Sequence, residues 1–228
     1  MHFFLFGILP YIAVSIAAMG SIARYERDPA TWKSSSSQLL RRKQLILGSI
    51  LFHLGVLTIF VGHVFGLLLP VELYDALGVG HSFKQALAAI GGGLAGVMAL
   101  IGGLLLAHRR FLDPRVRASS SRADNAIILV LIAQLVLGLA TVPLSLAHLD
   151  GHEMVNLMNW ANGIATFDGA AASYITHTAL VFKLHIFLGL VIFILFPFTR
   201  LVHMLSAPVR YLWRPGYQIV RSRKGRRS

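Results

Sequence analysis

Four histidines lie inside strongly apolar sequence. His53 and His63 fall within LFHLGVLTIFVGHVFG, and His185 and His203 fall within FKLHIFLGLVIFILFPFTRLVH. A polar group that enters hydrocarbon without a hydrogen-bonding partner costs roughly 2–7 kcal/mol. Ionisable residues in such segments are therefore candidates for a functional site. Because neutral imidazole is a common ligand of metals and of haem iron, the first chemistry that these residue types suggest is redox chemistry at a bound metal.

The composition indicates a membrane protein. Of the 228 residues, 56% are hydrophobic and 13% are charged, whereas soluble domains carry about 25% charged residues. The mean hydropathy is +0.69. The chain has no cysteine, which excludes disulfides and cysteine-held zinc or iron–sulfur clusters within it. Any metal chemistry therefore falls to histidine, methionine, carboxylates or a partner subunit.

Five apolar segments are long enough to position these histidines in a membrane. A helix needs about 20 apolar residues to cross a bilayer. The predicted spans cover residues 3–23, 45–69, 86–107, 125–147 and 178–204. No basic residue precedes the first span, whereas a signal peptide begins with a basic region, so we expect this span to be retained. The predicted fold class is thus an all-α integral membrane protein with five transmembrane helices.

The basic residues are concentrated on one side of these spans. The segments 24–43, 108–122 and 200–228 contain 19 of the 21 lysines and arginines. By the positive-inside rule, the N-terminus lies outside and the C-terminus lies in the cytoplasm. The charge of +12 thus reflects membrane topology and does not indicate nucleic-acid binding. The predicted organisation is a five-span domain at 1–204 and a basic cytoplasmic tail at 205–228, which either contacts anionic lipid or docks a partner protein.

Antiparallel spans predict how the histidines pair. The second and fifth spans run in opposite directions, so His63 is level with His185 and His53 with His203. Two levels, each with two imidazoles on facing helices, match the requirement of two bis-histidine haems. The spacing differs between the spans, at roughly 15 Å for the second and 27 Å for the fifth, and we expect helix tilt or a bend at Pro197 to absorb the difference. The alternative is that these histidines are core residues bonded to the backbone.

Glycines lie close to three of the histidines, at Gly55, Gly62, Gly66 and Gly189. Such glycines suit the close approach of a flat porphyrin, and they suit tight helix packing equally well. We interpret Gly91–Gly93 and Gly102–Gly103 of the third span as packing residues.

Lys84 and Lys183 are the basic residues outside the cytoplasmic segments. A cation near the outer surface can hydrogen-bond a quinone carbonyl, and Lys84 is the candidate for that role. The alternative for Lys84 is snorkelling to the lipid headgroups. Lys183, two residues before His185, is a candidate partner for a haem propionate.

The sequence closely resembles the membrane cytochrome b (gamma) subunit of respiratory nitrate reductase. The histidine segments carry the resemblance, together with RYERDPATWKSSSSQLLRRK, IGGLLLAHRRFLDPRVRASSSRAD, DGHEM and APVRYL. The resemblance implies two b haems, with His63 and His185 as ligands of the distal iron. It implies that His53 and His203 ligate the proximal iron, and that Lys84 contributes to a quinol site.

The same resemblance implies a place in a larger enzyme. Such a subunit belongs to a quinol:nitrate oxidoreductase of a bacterial or archaeal cell membrane. It oxidises quinol near the distal haem and passes electrons to an iron–sulfur subunit, and then to a molybdenum subunit that reduces nitrate on the cytoplasmic face. Alternatives are a cytochrome b subunit of a heterodisulfide-reductase-like complex, a transporter or assembly factor without haem, and a purely structural anchor.

Overall fold

Five helices of the computed structural model are long and apolar enough to cross a membrane. The structure describes residues 1–32, 40 and 42–206, and every regular element within them is helical. The candidate spans are Phe4–Arg27, Arg42–Leu68, His81–Leu112, Arg122–Ala147 and Leu180–Phe198. The prediction of an all-α protein with five spans is confirmed. Of the predicted basic tail at 205–228, the residues after Ser206 lie outside the described part of the chain, so the role of the tail stays a prediction.

The α-helices are α1 (Leu9–Arg27), α2 (Arg42–His63), α3 (Val71–Ala76), α4 (His81–Leu112), α5 (Pro114–Ala118), α6 (Arg122–Ala147), α7 (His152–Ala165) and α8 (Leu180–Leu195). Turns of π-helix precede α1 at Phe4–Ile8 and follow α2 at Val64–Leu68. The connection between α4 and α6, which is predicted to be cytoplasmic, contains α5, and both α5 and α6 begin with a side-chain cap. Asp113 accepts hydrogen bonds from the first turn of α5, and Ser121 accepts one from the backbone of Asp124 in α6.

The spans pack in the order α2, α4, α6, α8, α1, each against the next. The closest approach joins α2 and α4. A Cβ on Gly55 would lie 2.6 Å from the carbonyl oxygen of Ala95 and 2.7 Å from the backbone nitrogen of Ala99. A Cβ on Gly102 would lie 2.8 Å from the carbonyl oxygen of Gly48. Both glycines therefore serve helix packing, which resolves the two interpretations of Gly55 and confirms the one for Gly102. The packing interpretation is wrong for Gly91 and Gly92, because a Cβ on either would meet no described atom within 4 Å.

This packing decides which way α2 presents its histidines. His53 lies two residues before Gly55, which is a rotation of about 200° around the helix. Since Gly55 faces α4, His53 faces the opposite direction, where α8 and the segment after it lie. α2 and α8 are not among the described helix pairs with extensive backbone contact. Across the space between them, His63 of α2 faces His185 of α8, and His53 faces His203 of the segment after α8.

α7 is an element that the sequence analysis does not predict. Its Trp160 indole donates a hydrogen bond to the carbonyl of Phe6, at 2.9 Å. The Asn162 amide donates to the carbonyl of Leu67 at 3.0 Å, just after α2 ends. α7 thus joins the start of the first span to the end of the second, at the end of the bundle that holds His63.

The fifth span is not one continuous helix from 178 to 204. α8 ends at Leu195, a 3₁₀ turn follows at Phe196–Phe198, and Thr199 is extended with φ −122° and ψ −179°. A second 3₁₀ segment, Arg200–Ser206, carries His203. The predicted bend at Pro197 is therefore present as a break. Its cause is proline, which lacks the backbone N–H that a helix interior needs.

Candidate haem site

The four membrane histidines form two close pairs between α2 and the fifth span. The ring centres of His63 and His185 are 6.2 Å apart with an angle of 44° between the ring planes. Those of His53 and His203 are also 6.2 Å apart, with an angle of 70°. We name His63 and His185 the distal pair and His53 and His203 the proximal pair. The opposite directions of the second and fifth spans predict these same partners.

The separation suits two imidazoles on opposite sides of one metal ion. Metal–imidazole nitrogen bonds are about 2 Å long and the ring centre lies about 1 Å further on, so two opposed ligands have ring centres roughly 6 Å apart. The described residues include no group of three or more His, Cys, Asp or Glu side chains that could hold a metal ion. Each pair therefore offers two ligands, which is compatible with a cofactor such as haem that brings its remaining ligands with it.

Three of the histidines are oriented by hydrogen bonds to the backbone. Nδ1 of His53 lies 2.8 Å from the carbonyl oxygen of Ser49, and Nδ1 of His63 lies 2.9 Å from that of Ile59. Nδ1 of His203 bonds the carbonyl of Arg200. A carbonyl can only accept, so each Nδ1 carries the proton and each Nε2 keeps its lone pair for a metal. Backbone bonding and metal ligation are thus compatible uses of these rings.

His185 is held differently. Its Nδ1 is buried without a hydrogen-bond partner among the described residues, and its Nε2 has only a long contact of 3.5 Å to the amide nitrogen of Gln134. An unsatisfied buried nitrogen costs about 1–3 kcal/mol, which a metal bond recovers only where that nitrogen is the ligand. Gly138 of α6 makes room for this ring, because a Cβ there would lie 2.9 Å from Cε1 of His185. Sequence reasoning missed both Gln134 and Gly138.

Two glycines near His63 face open space. A Cβ on Gly62 or Gly66 would meet no described atom within 4 Å. The contacts of the described residues therefore do not support the packing interpretation at these two positions, and the porphyrin interpretation stays a prediction. Gly189 is different, since its Cβ would lie 3.4 Å from the Gln134 amide.

Lys84 is buried in the first turn of α4, so it does not extend to the lipid headgroups. Its ammonium nitrogen lies 3.4 Å from the centre of the Tyr74 ring and 2.8 Å from Sδ of Met158. The Tyr74 hydroxyl donates to the carbonyl of Phe65, two residues after His63. Lys84 therefore lies at the same end of the bundle as the distal pair. The sequence carries no signal that would have identified Tyr74 and Met158 as its neighbours.

Lys183 and Asp124 both have partners within the protein. Lys183 donates to the carbonyl of Thr176 at 2.6 Å, so its proposed contact with a propionate stays a prediction. Asp124, in the first turn of α6, lies 2.7 Å from Arg200 and 3.6 Å from Arg110. This ion pair joins the start of α6 to the segment that follows α8.

Comparison with known proteins agrees over nearly the whole chain. The family model described as nitrate reductase gamma subunit matches residues 2–223. The chain is 47% identical to the respiratory nitrate reductase 1 gamma chain of Escherichia coli K12, over 98% of each protein. It is 40% identical to the nitrate reductase gamma chain of Bacillus subtilis 168, over 96% of this chain and 97% of that protein. The five-span chain therefore belongs to the nitrate reductase gamma subunit family.

Proposed function

We propose that this chain is the dihaem cytochrome b subunit of a quinol:nitrate oxidoreductase, with one haem b held by each histidine pair. The observation that carries the proposal is the double pairing itself. Two imidazole pairs, each with ring centres 6.2 Å apart, lie at two depths between the same two spans. Membership of the nitrate reductase gamma family supports the same assignment.

The two pairs provide a route across the membrane. His53 and His63 are ten residues apart on one helix, which is about 15 Å along its axis. Haem bound at each pair supplies reversible one-electron transfer. By the positive-inside rule, the charge distribution of the loops supports a distal pair near the outer surface and a proximal pair near the cytoplasm. Electrons would thus pass from a haem at the distal pair to a haem at the proximal pair, on the cytoplasmic side.

Quinol binds at the distal end, where Lys84 supplies a hydrogen bond to a quinol oxygen. An ammonium group has three N–H donors. Its two described neighbours are an aromatic face and a thioether, and neither is a strong acceptor. A donor therefore remains for an oxygen of the ligand. Tyr74 and Met158 hold the ammonium in place without neutralising it.

The overall reaction requires partner subunits. Quinol is oxidised to quinone and releases two protons and two electrons, and nitrate takes up two electrons and two protons to give nitrite and water. The chain has no cysteine to hold an iron–sulfur cluster, so electron transfer through such clusters and the reduction of nitrate belong to iron–sulfur and molybdenum subunits on the cytoplasmic face. The chain anchors these partners in a bacterial or archaeal membrane and passes electrons to them.

The visible spectrum of the complex purified from native membranes tests this proposal. We expect low-spin b-type bands, two haems per copy of this chain, and reduction of both haems by an added quinol. A haem assay on the chain expressed without its partners separates its own haem from that of other subunits. A colourless chain, or one whose bands do not respond to quinol, would refute the proposal.

A further inference from the structure

The break in the fifth span leaves backbone carbonyls to be satisfied close to a candidate haem ligand. α8 ends at Leu195, and His203 lies on a separate 3₁₀ segment that begins after the extended Thr199. Carbonyls at such a break lose their helical partners and need other donors, because unpaired backbone groups in a membrane cost several kcal/mol. The position of His203 depends on what holds this segment.

Arg24, in the last turn of α1, satisfies these carbonyls. Its Nη1 donates to the carbonyl oxygens of Pro197 and Thr199, both at 2.8 Å. Its Nη2 and Nε donate to the carbonyl and the hydroxyl of Thr31, at 2.9 and 3.3 Å. One planar guanidinium thus joins the end of α1, the turn that follows it and both sides of the break. Only arginine presents donors in a rigid fork of this kind.

Two further residues from the same part of the chain hold the segment. Gly20 lies one turn before Arg24 on the same face of α1, and a Cβ there would lie 2.8 Å from Cγ of Pro197. At the other end of the segment, the Trp32 indole donates to the hydroxyl of Ser206. The first span and the turn after it therefore contact the broken segment before and after His203.

Leu201 and Val202 connect the residues that Arg24 holds to His203. Leu201 and Val202 are buried at 7% and 0% exposure, so the segment cannot slide without disrupting its packing. His203 follows directly, with its ring bonded to the Arg200 carbonyl and facing His53. His185 of the distal pair lies inside regular α8, at the other end of the bundle, and its described neighbours there are Gln134 and Gly138 of α6.

We infer that Arg24 is a positioning residue for His203, and that Gly20 provides the space that its contact with the break requires. The inference rests on the proposed function, because it takes His203 to be an axial ligand. α1 carries no candidate ligand itself, yet through Arg24 it fixes the position of His203. The distal haem serves as an internal reference, because it depends on a different part of the bundle.

The test compares Arg24→Gln, Arg24→Lys and Gly20→Ala in the whole complex, in membranes. Arg27→Gln is the matched control, since Arg27 lies on the same helix end and is exposed. The readouts are the low-spin electron paramagnetic resonance signals and the midpoint potentials of the two haems, with the proximal signal assigned by its loss in His53→Ala. We expect Arg24→Gln and Gly20→Ala to shift or abolish the proximal signal and to leave the distal one unchanged. Arg24→Lys should recover part of the wild-type signal, and Arg27→Gln all of it.

Two results would overturn the inference. One is an unchanged proximal g-value and potential in Arg24→Gln. The other is an equal change in both haems, which would make Arg24 a stabiliser of the whole bundle. If the wild-type complex itself showed no haem signal from this chain, the proposed function would fail instead.

Discussion

Replacement of Gly55 by alanine should displace the proximal pair. A Cβ at this position would lie 2.6 Å from the carbonyl oxygen of Ala95 and 2.7 Å from the backbone nitrogen of Ala99, whereas ordinary contacts begin at 3.4 Å. The gap to be opened is therefore about 0.8 Å. Both obstructing atoms are backbone atoms of α4, so side-chain rotation cannot relieve the clash and α2 itself must move. Overpacking of this kind costs roughly 1–3 kcal/mol.

The direction in which α2 would move links its packing against α4 to the candidate metal site. His53 faces away from Gly55, so a shift of α2 away from α4 carries its ring towards His203. Ligand distances in metal sites tolerate only about 0.2 Å of variation, so a displacement of about 0.8 Å exceeds what a bound iron accepts without rearrangement. We expect Gly55→Ala to lower the content of the proximal haem more than that of the distal haem.

Haem content per chain and the temperature at which the haem absorbance is lost measure this effect. Gly92→Ala is the control, because a Cβ on Gly92 of α4 meets nothing within 4 Å. Alanine is favoured over glycine in a helix by roughly 0.5–1 kcal/mol, so this control should be as stable as the wild type or more so. If Gly55→Ala kept both haems and the thermal stability of the control, the close-packing argument would be refuted.

Four further predictions concern the route of electrons and protons. Alanine at either member of the distal pair should remove one common haem, and alanine at either member of the proximal pair should remove the other; redox titration showing any other grouping would contradict the pairing. Lys84→Ala should slow quinol oxidation while both haems remain, and nitrate reduction by an artificial donor that bypasses the haems serves as its control. Deletion of 215–228 should leave the haem spectrum intact and weaken retention of the partner subunits in membranes, whereas unchanged retention at physiological salt would reduce the tail to a lipid contact. Quinol oxidation should acidify the outer face, as measured with a membrane-impermeant dye, because the proposed orientation puts the distal pair on that side; acidification of the cytoplasmic face would exclude the proposed direction.

The features that the sequence predicted well depend only on local composition and on the order of residues along the chain. Apolar length identifies a span, and the order of His53, His63, His185 and His203 along antiparallel spans is enough to pair them. Neither inference requires knowledge of which helices touch. The packing role of Gly55 was left open for that reason, because it depends on whether α4 lies on its side of α2.

The contacts that sequence did not predict are those between distant parts of the chain. Arg24 has the pattern of an ordinary cytoplasmic flanking residue, and its partner Pro197 is 173 residues away. Nothing in the apolar pattern distinguishes it from Arg27. The setting of Lys84 was missed for the same reason, since Tyr74 and Met158 come from two other elements that no span prediction includes.

The break at Pro197 explains how the two histidines of α2 and the two of the fifth span form pairs with the same separation, although their spacing along the chain differs between the two spans. From His53 to His63 is ten residues of helix, and from His185 to Leu195 is also ten, so α8 alone covers the axial distance between the two levels. The chain must then place His203 without travelling a further eight residues along the same axis. A 3₁₀ segment rises about 2 Å per residue against about 1.5 Å for an α-helix, so continuing straight would worsen the mismatch. Only a change of direction solves it, and the extended Thr199 provides that change. A turn of this kind exposes carbonyls that the helix no longer satisfies, and Arg24 supplies the donors that they need.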